Sequence, residues 1–414
     1  MLRAMSDVQM PDNIASGEVA IVGGGLVGLA LGIALARHGI ETIVIDREDP
    51  ATARGAAFDG RVSAIAFASV RALQATGIWA EVRESQPIWD IRVTDGASRL
   101  FLHYDHRDLG DQPFGQMVEN RVMREALFAA AARTPGLRLL APVRLEDLSR
   151  RTGGVTARLA DGREIRARLA IGADGRQSRL REEAGIRTIA WNYPQVGIVC
   201  TVQHELPHHG IAQERFLPAG PFAILPMTGN RSSLVWTERE TLAPAILKLA
   251  PAEFHAEMSR RFGDHLGRIE AVGPRWSYPL ALHHATSYIA PRLALVGDAA
   301  HGIHPIAGQG LNMGLRDVAA LAEVLVEAKR LGLDVGDYTA LERYERWRRF
   351  DNVLLAGVTD ALNRLFSNEI GPIRLARDLG LGLINQLGPL KRFFMQHARG
   401  TVGELPRLLR GEPI

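Results

Sequence analysis

The segment Arg292–Asn312 is the sequence feature that most strongly limits the folds this chain can adopt. An apolar stretch, Leu293–Val296, runs into Gly297-Asp298, a glycine-rich turn follows, and a helical pattern begins near Asn312. A strand, turn and helix of this kind occur in many proteins. The segment gains its meaning from a second one of the same type near the other end of the chain.

The N-terminal part of the chain carries the pattern of a dinucleotide-binding unit. The apolar strand Val19–Val22 is followed by Gly23, Gly25 and Gly28 in the spacing Gly-x-Gly-x-x-Gly, and then by an apolar helix. Glycines at these places permit a tight turn and close approach of the backbone to a pyrophosphate, and the helix start offers free N–H groups. Asp46 ends the next strand, where a carboxylate can bind ribose hydroxyls. The pattern predicts dinucleotide binding and leaves open whether the ligand is FAD or NAD.

The late segment adds groups that suit a flavin. A carboxylate at Asp298, where the strand ends, suits a chain of sugar-like hydroxyls such as ribityl. The turn that contains Gly308, Gly310, Leu311 and Asn312 presents N–H groups at a helix start, which can bind the N1–C2=O edge of a flavin and stabilise the reduced ring. Taken alone, Gly-Asp could equally be a helix entry with Asn312 as N-cap. Beside the N-terminal pattern, the flavin interpretation is favoured, and FAD is the predicted cofactor.

The amino-acid composition limits the classes of protein to which this chain can belong. The chain has 414 residues, of which 46% are hydrophobic and 23% charged, which is typical of a globular protein with two or more domains. A net charge of +3 gives little support to nucleic-acid binding. Cys200 is the only cysteine, so no intrachain disulfide can form, and its apolar surroundings predict a buried side chain. Residues 1–16 lack the apolar core of a signal peptide, so we expect a cytoplasmic protein.

Hydrophobic periodicity and turn residues predict the order of elements. Predicted helices are Leu26–His38, Val62–Thr76, Asn120–Arg133 and Pro251–Phe262. Predicted strands are Glu41–Ile45, a hairpin of Ile88–Thr94 and Arg99–Tyr104, and a meander of Val143–Ser149, Val155–Leu159 and Arg163–Ile171. Between Gln195 and Ser277 further strands are predicted at Val196–His204, Ala212–Phe216, Phe222–Pro226 and Ser232–Thr237. We interpret this region as a separate sheet inserted into the cofactor domain, and the chain from Val318 onward as largely helical.

The chain resembles the class A flavin monooxygenases, which share the fold of p-hydroxybenzoate hydroxylase. Three motifs carry the resemblance in the family's order, namely the N-terminal glycines, the mid-chain Asp174-Gly175 and the late Gly297-Asp298. The resemblance covers nearly the whole chain. It implies an α/β fold with a Rossmann-like FAD-binding domain, an inserted mostly β substrate domain and a helical C-terminal region.

The resemblance also implies domain boundaries and a second nucleotide. We expect the FAD-binding domain to comprise residues 17–87, 106–190 and 286–330, the substrate domain residues 88–105 and 191–285, and the C-terminal region residues 331–414. The chain has no second Gly-x-Gly-x-x-Gly near its middle. Family members bind NAD(P)H transiently without a second Rossmann unit, so NAD(P)H is the expected co-substrate.

A narrower resemblance is to the hydroxylases of ubiquinone biosynthesis, which act on polyprenylated phenols. The segments that carry it are Asp59–Ile65, Val118–Arg121, His304–Asn312 and Arg364–Asn368. By this resemblance Arg61 and Arg121 contact FAD, and Asp174 lies near the phosphates of FAD and NAD(P)H. Asp298 would hold the ribityl chain, and Pro305 would lie beside the flavin ring at the substrate face. Asp46 stands where many members carry Glu, and the shorter carboxylate can bind the same ribose.

The implied reaction is hydroxylation of a phenol ring through a flavin C4a-hydroperoxide, with NAD(P)H and O2 consumed. The protein must exclude water and hold the ring close to the reactive oxygen. We expect Leu225, Pro226 and Trp236 of the inserted sheet to form the pocket wall opposite Pro305. His304 could orient the turn or the phenol, although a structural hydrogen bond is at least as plausible a role. No phenol-deprotonating base is evident from the sequence, and no metal site is expected at the histidines.

A polyprenyl tail would keep the substrate in a bilayer, because each buried methylene contributes about 0.8 kcal/mol. We therefore expect the protein to contact the membrane surface and other proteins of ubiquinone biosynthesis. The C-terminal segment from Ile370 mixes basic and apolar residues that suit such contact, and an amphipathic helical cap over the core is the alternative. The basic residues are Arg374, Arg377, Lys391, Arg392, Arg399, Arg407 and Arg410, and the apolar ones are Leu379, Leu381, Leu383, Leu387, Phe393 and Phe394.

Two other functions fit the same motifs. One is a class A hydroxylase of a small soluble phenol such as a hydroxybenzoate, whose pocket would hold an arginine for the substrate carboxylate. Arg215 and Arg231 lie in the inserted sheet, and the sequence does not show whether either points inward. The other is a non-catalytic flavin-binding subunit of a biosynthetic complex. The hydroxylated carbon, the tail length and the oligomeric state are not encoded in any motif that we find.

Overall fold

The computed structural model describes residues 14–54, 60–96, 101–302, 310–349, 351–352 and 387–414. The predicted site residues His304, Pro305 and Gly308 lie outside the described residues. So does the part of the predicted membrane segment that contains Arg374, Arg377, Leu379, Leu381 and Leu383.

The strands of the described residues form four sheets. In chain order they are β1 Ile14–Ser16, β2 Val19–Val22, β3 Thr42–Ile45, β4 Val62–Ala66, β5 Gln86–Ile88, β6 Asp90–Asp95, β7 Phe101–Asp105, β8 Gly115–Glu119, β9 Leu137–Leu140, β10 Leu145–Arg151, β11 Gly154–Leu159, β12 Glu164–Ala167, β13 Leu169–Gly172, β14 Thr188–His204, β15 Ile211–Leu217, β16 Gly220–Met227, β17 Arg231–Arg239, β18 Ile269–Ala285, β19 Ile289–Ala290, β20 Leu293–Leu295 and β21 His301–Gly302.

Helices connect and cover these sheets. They are α1 Leu26–Arg37, α2 Pro50–Arg54, α3 Phe67–Ala75, α4 Asn120–Ala132, α5 Arg179–Glu183, α6 Ala243–Leu247, α7 Pro251–Phe262, α8 Gly310–Arg330, α9 at residues 338–349 and α10 Gly388–Arg399. Short 3₁₀ turns occur at Trp79–Glu81, His106–Leu109, Gly297–Ala299 and Arg407–Arg410.

A parallel sheet forms the centre of the cofactor-binding part. Its strand order is β19-β20-β13-β2-β3-β9, and all neighbours are parallel except the short antiparallel β19. The strands are rich in Val, Ile and Leu and are almost wholly buried, because helices cover parallel sheets on both faces. The carboxyl ends of β2, β13 and β20 therefore meet at one edge, where all three family motifs begin.

Helix α1 lies close to this sheet. A Cβ on Gly32 would be 2.9 Å from Val44 Cγ2 and 3.0 Å from Leu137 Cδ1, so only glycine allows this approach. The helix ends at Arg37 with His38 as its C-cap, and Gly39 follows with a φ of +83°, as expected for a glycine just past a helix terminus. This confirms the predicted strand, helix and strand at the N-terminus.

An eight-stranded sheet forms the inserted part, in the order β21-β18-β14-β17-β16-β15-β6-β7. It includes the hairpin β6–β7 predicted around Asp95-Gly96, which joins the sheet by the parallel pairing of β6 with β15. Directly paired residues share a face of a sheet. On one face Ile198, Phe222 and Trp236 pack against α6 and α7, and we call this the helix-covered face. The opposite face, which we call the inner face, packs in part against Phe114, Met117 and Met395 of the remaining structure.

Two predicted elements differ from the structure. Val62–Thr76 is not one helix, since Val62–Ala66 pairs as a strand with Gly115–Glu119 and the helix begins at Phe67. Arg163–Ile171 is not one strand, because β12 closes the meander β10–β12 whereas β13 joins the parallel sheet. In both stretches the apolar residues fit both a helix and a strand pattern or more than one strand. Which element forms depends on pairing with strands that are distant in sequence.

Candidate functional site

The three glycines after β2 form an open cradle at the start of α1. Gly23 has a φ of +106°, and a Cβ there would lie 2.2 Å from the carbonyl oxygen of Ala173. A Cβ on Gly28 would lie 1.9 Å from the carbonyl oxygen of Gly23. By contrast, a Cβ on Gly25 would meet nothing within 4 Å. The first and third glycines are thus required by the chain itself, and the second leaves free space at the helix start.

A cavity of about 390 Å³ adjoins this cradle. Its lining includes Gly23–Leu26, Asp46, Arg124, Asp174 and Arg179. The volume lies in the range of small-molecule and cofactor pockets. Backbone N–H groups at a helix start and nearby guanidinium groups suit a pyrophosphate, so the cavity fits the dinucleotide half of FAD.

The backbone holds Asp46 at the rim of the cavity. Its carboxylate accepts hydrogen bonds from the N–H groups of Gly24 and Glu48, one on each oxygen. These two bonds fix the carboxylate beside the cradle, where the predicted ribose contact requires it.

Asp174 lines the same cavity and has one oxygen without a partner among the described residues. Its Oδ2 accepts the N–H of Leu180 at 3.3 Å, whereas its Oδ1 is buried and has no hydrogen-bond partner among the described residues. A buried carboxylate oxygen without a partner is costly unless a ligand supplies a donor. We regard this orphaned oxygen, together with the space at Gly25, as the main evidence that these residues fit a bound FAD.

Arg61 directly precedes β4, and Arg121 lies in the first turn of α4, just after β8. The N–H of Asn120 donates to the carbonyl oxygen of Arg61 at 3.0 Å, which brings the two arginines to the same end of the β4–β8 pair. Arg121 Nε donates to Glu119 Oε2 at 2.6 Å, and Glu119 also pairs with Arg231 at 3.2 Å. The structure thus brings both predicted FAD contacts together.

The Gly-Asp motif forms a tight 3₁₀ turn after β20. Gly297 has a φ of +58°, and the side chain of Asp298 is exposed. The carbonyl oxygen of Asp298 lies 2.8 Å from His283 Nε2, which anchors the backbone of the turn. The carboxylate is therefore presented on a fixed backbone, as expected for a residue that binds a ligand.

The side chain of Asn312 does not have the N-cap role that the alternative interpretation of this segment gave it. Helix α8 begins at Gly310, so Asn312 is its third residue and not its N-cap. Its side-chain oxygen accepts the N–H of Ala66 at 2.8 Å, and its amide donates to the carbonyl oxygen of Ala64 at 2.8 Å. The side chain thus ties the helix start to β4, and only the backbone N–H groups of this turn remain candidates for flavin binding. Leu311 packs partly buried against the main core, and Gly310 is exposed.

A buried polar network supports the Gly-Asp turn, and sequence analysis missed it. Asp317, 0% exposed, accepts the N–H of Gly297 at 3.0 Å and Arg348 Nε at 2.9 Å, and it lies 2.6 Å from His301 Nε2. Arg348 in turn binds Asn352 at 2.6 Å and Asp351 at 2.9 Å. The one sequence signal for this network is Asp317 itself, an acidic residue among the apolar residues of a predicted helix.

The predicted pocket wall needs correction. Trp236 is 1% exposed and lies on the helix-covered face, where it packs against Phe254 and under the guanidinium of Arg261. Pro226 alternates with Leu225 along β16 and falls on the same face as Trp236. Only Leu225 lies on the inner face, so Trp236 and Pro226 cannot line a pocket there.

Two aromatic residues that we did not predict lie on the inner face instead. Trp276 pairs with Val199 and Tyr278 pairs with Gly197, and the ring of Trp276 is 47% exposed. A Cβ on Gly60 would lie 3.2 Å from Trp276 Cδ1, so this ring reaches the segment that carries Arg61. Strand β18 contains a bulge, a glycine and two prolines, so its sequence shows no regular strand pattern and these two residues were not predicted.

The parallel sheet with its glycine cradle and the inserted antiparallel sheet together define a flavoprotein monooxygenase of class A. The sequence matches the family described as FAD binding domain over residues 16–352, and the chain therefore belongs to that family. It binds FAD, and NAD(P)H is the usual co-substrate of the class.

Comparison with known proteins agrees with this assignment. A ubiquinone hydroxylase, UbiL, of Rhodospirillum rubrum is 57% identical over 96% of this chain and 93% of the relative. The 3-demethoxyubiquinol 3-hydroxylase of Escherichia coli is 38% identical over 92% of this chain and 98% of the relative. The crystal structure of p-nitrophenol 4-monooxygenase PnpA from Pseudomonas putida has a similar fold, with a TM-score of 0.78 and 19% identity over 95% of this chain and all of that one.

Proposed function

We propose that this protein hydroxylates the aromatic ring of a polyprenylated phenol in ubiquinone biosynthesis, with NAD(P)H and O2 as co-substrates. The observation that carries the proposal is full-length similarity to two relatives, at 57% and 38% identity, whose names state that they hydroxylate ubiquinone or its precursors. FAD supplies the activation of O2 when it is bound. The protein's own task is to bind the phenol, orient it and exclude water.

The inner face of the inserted sheet supports a substrate without a carboxylate. Arg215 lies on the helix-covered face, where it donates to the carbonyl oxygen of Arg261 at 2.6 Å. Arg231 is held by Thr228 and by Glu119. The guanidinium of Arg215 therefore faces away from the inner face, and the charge of Arg231 is compensated by Glu119. The side chains of the inner face are instead mostly apolar, as a prenylated ring requires.

The decisive assay uses the purified FAD-loaded protein with NAD(P)H, O2 and a short-chain 2-prenylphenol, and identifies the product by mass. We expect a product heavier by one oxygen atom and no comparable turnover of 4-hydroxybenzoate. Turnover of 4-hydroxybenzoate alone would favour a hydroxylase of small soluble phenols. Bound FAD without phenol-stimulated NAD(P)H oxidation would favour a non-catalytic subunit.

We further propose that the protein reaches this substrate by docking on the membrane surface. Among the helices that the structure describes, none is both long and apolar enough to cross a bilayer. Helix α10 nevertheless exposes large apolar side chains, with Leu390 39% and Phe393 47% exposed. Arg392 is exposed beside them. An exposed apolar and basic surface of this kind suits an anionic membrane interface.

Some of the predicted basic residues have structural roles instead. Arg399 is buried and stacks on Phe67 with its guanidinium carbon 4.2 Å from the ring centre. Arg407 pairs with Glu323, and Lys391 binds Asp108 at 2.9 Å. The membrane proposal therefore rests on the exposed side chains of α10.

Co-sedimentation with anionic vesicles tests this docking. A Leu390→Asp/Phe393→Asp double variant should bind vesicles more weakly than the parent protein. A Leu331→Asp variant, which changes an exposed leucine elsewhere, is the matched control. Equal vesicle binding by the parent and the α10 variant would refute the role of this helix. Contact with other proteins of ubiquinone biosynthesis is expected on the same grounds.

A further inference from the structure

Glu214 is a charged residue placed among apolar side chains on the inner face. In β15 it pairs with Ala223 of β16 on one side and with Val93 of β6 on the other. Because paired residues share a face, Glu214 belongs to the same side of the sheet as Leu225 and opposite to Arg215. Sequence analysis assigned it no role.

One transverse row of the sheet connects Glu214 to Trp276. The paired residues follow one another across five strands as Glu214, Ala223, Val235, Val199 and Trp276. Four strand spacings separate the two ends, which is about 19 Å. The row thus forms a floor of small apolar side chains with a carboxylate at one end and an exposed aromatic ring at the other. A Cβ on Gly60 would lie 3.2 Å from Trp276 Cδ1, so this end of the row lies beside the segment that carries Arg61.

No contact within the described part of the protein accounts for a carboxylate at Glu214. Within the part of the chain that the structure describes, no cation or hydrogen-bond donor is recorded at its oxygens, and the side chain is only partly exposed. Burial raises the pKa of Glu214 to about 7. A carboxylate without a partner among apolar groups destabilises the folded chain, and such groups cluster at functional sites.

The other titratable groups near this floor are poor proton acceptors. On the inner face, burial raises the pKa of Tyr104 in β7 and of Tyr278 in β18. Asp95 is buried at the far end of β6. On α10, Arg399 stacks on Phe67, and burial lowers the pKa of His397, which makes its imidazole a weaker base. Glu214 is therefore the candidate base of this face.

We propose that the Glu214 carboxylate accepts the proton of the substrate's phenol hydroxyl, an inference that rests on the proposed function. The O–H bond of the phenol breaks, an O–H bond forms on the carboxylate, and no atom changes its oxidation state in this step. The phenolate left behind carries more electron density at its ring carbons. It is therefore more readily attacked by the oxygen atom that the FAD-dependent reaction delivers. General base catalysis of this kind contributes about 10²–10⁴-fold.

The test compares Glu214→Gln with the parent enzyme and with Gln213→Ala as control. Gln213 is the neighbouring residue, and it contacts His265 on the helix-covered side at 2.6 Å. Each FAD-loaded protein is assayed with a 2-prenylphenol and with a ring-fluorinated 2-prenylphenol, whose hydroxyl is more acidic. FAD content and substrate affinity are measured separately, because a folding defect would change them.

We expect Glu214→Gln to keep its FAD and its substrate affinity and to lose about 10²–10⁴-fold in kcat with the unsubstituted phenol. The loss should be much smaller with the fluorinated phenol. In the parent enzyme kcat should rise with pH through about 7, because only the ionised carboxylate is a base, and this rise should be absent from the variant.

Three results would overturn the inference. One is an unchanged pH profile in Glu214→Gln, and another is an equal loss with both phenols. In either case an active parent enzyme leaves the proposed function standing. A parent enzyme that hydroxylates neither phenol would overturn the proposed function, and this inference with it.

Discussion

Replacing Asp317 by Asn removes the charge at the centre of the buried network without changing its shape. Asp317 is fully buried and compensates the guanidinium of Arg348, which is itself only 1% exposed. Removing one partner of a buried ion pair costs about 3–5 kcal/mol, because the other charge stays buried without compensation. Asp351 also binds Arg348, at 2.9 Å, and offsets part of the loss. We therefore expect a decrease of about 3 kcal/mol in the free energy of unfolding, or about two powers of ten in the equilibrium constant.

Urea unfolding of the FAD-free proteins measures this difference directly. The comparison variant is Asp351→Asn, whose carboxylate binds both Arg348 and Arg316 but is partly exposed to water, so its loss should be smaller. The Asp317→Asn variant should also bind FAD more weakly, because Asp317 holds the N–H of Gly297 beside Asp298. Replacing Arg348 by Met in the Asp317→Asn background should recover part of the lost stability, since no buried charge then remains unpaired.

The reasoning fails if Asp317→Asn destabilises the protein by no more than Asp351→Asn does. It also fails if Arg348→Met lowers the stability of the Asp317→Asn variant by as much as it lowers the stability of the parent protein. Either result would mean that hydrogen bonds and packing stabilise this site and that compensation of charge does not.

Four further predictions follow from single residues. Asp298→Ala should lose bound FAD, and a fully yellow variant protein would refute the assigned ribityl contact. Gly25→Ala should leave the FAD-free protein as stable as the parent protein and weaken FAD binding. Gly28→Ala should destabilise even the FAD-free protein, because its Cβ would clash with the backbone. Calorimetry measures the stability of the two variants, and flavin titration measures their affinity for FAD. Since burial raises the pKa of Glu214 from 4.5 to about 7, the parent loses stability as pH rises through this range, so Glu214→Gln should be more stable by up to about 3 kcal/mol near pH 8 and equal near pH 4. Burial raises the pKa of Cys200 to about 12, so a thiol reagent should label the native protein far more slowly than the unfolded chain.

The cofactor-binding part could be predicted from the sequence because its signals are local. The glycines after β2, the carboxylate at the end of β3 and the Gly-Asp turn each lie within a few residues of a buried parallel strand. The carboxyl ends of neighbouring parallel strands meet at one edge, so placing the strands also places the motifs. The cavity beside Asp46 and Asp174 agrees with that expectation.

The substrate side could not be predicted in the same way, because its residues come together through long-range pairing. Strand β18 contains a glycine and two prolines and shows no continuous apolar run. It is nevertheless a strand of 17 residues, since over most of its length it is an edge strand paired only with β14, where prolines are tolerated. Trp276 and Tyr278 were missed for this reason.

The register of strand β15 decides which of two neighbouring charged side chains faces the inner side of the inserted sheet. Glu214 and Arg215 are consecutive in β15, so they point to opposite faces. The pairing of Arg215 with Phe222 turns the guanidinium toward α7, and the pairing of Glu214 with Ala223 turns the carboxylate toward the inner face. A shift of one residue would exchange them and place an arginine there, which would suit a substrate that carries a carboxylate. The side chains of Ala212 and Phe216 in β15 oppose that shift, because both are buried on the same face as Glu214 and would be turned away from their contacts there. The packing of Ala212 and Phe216 thus keeps Arg215 off the inner face, which agrees with the proposal that the substrate is a neutral phenol.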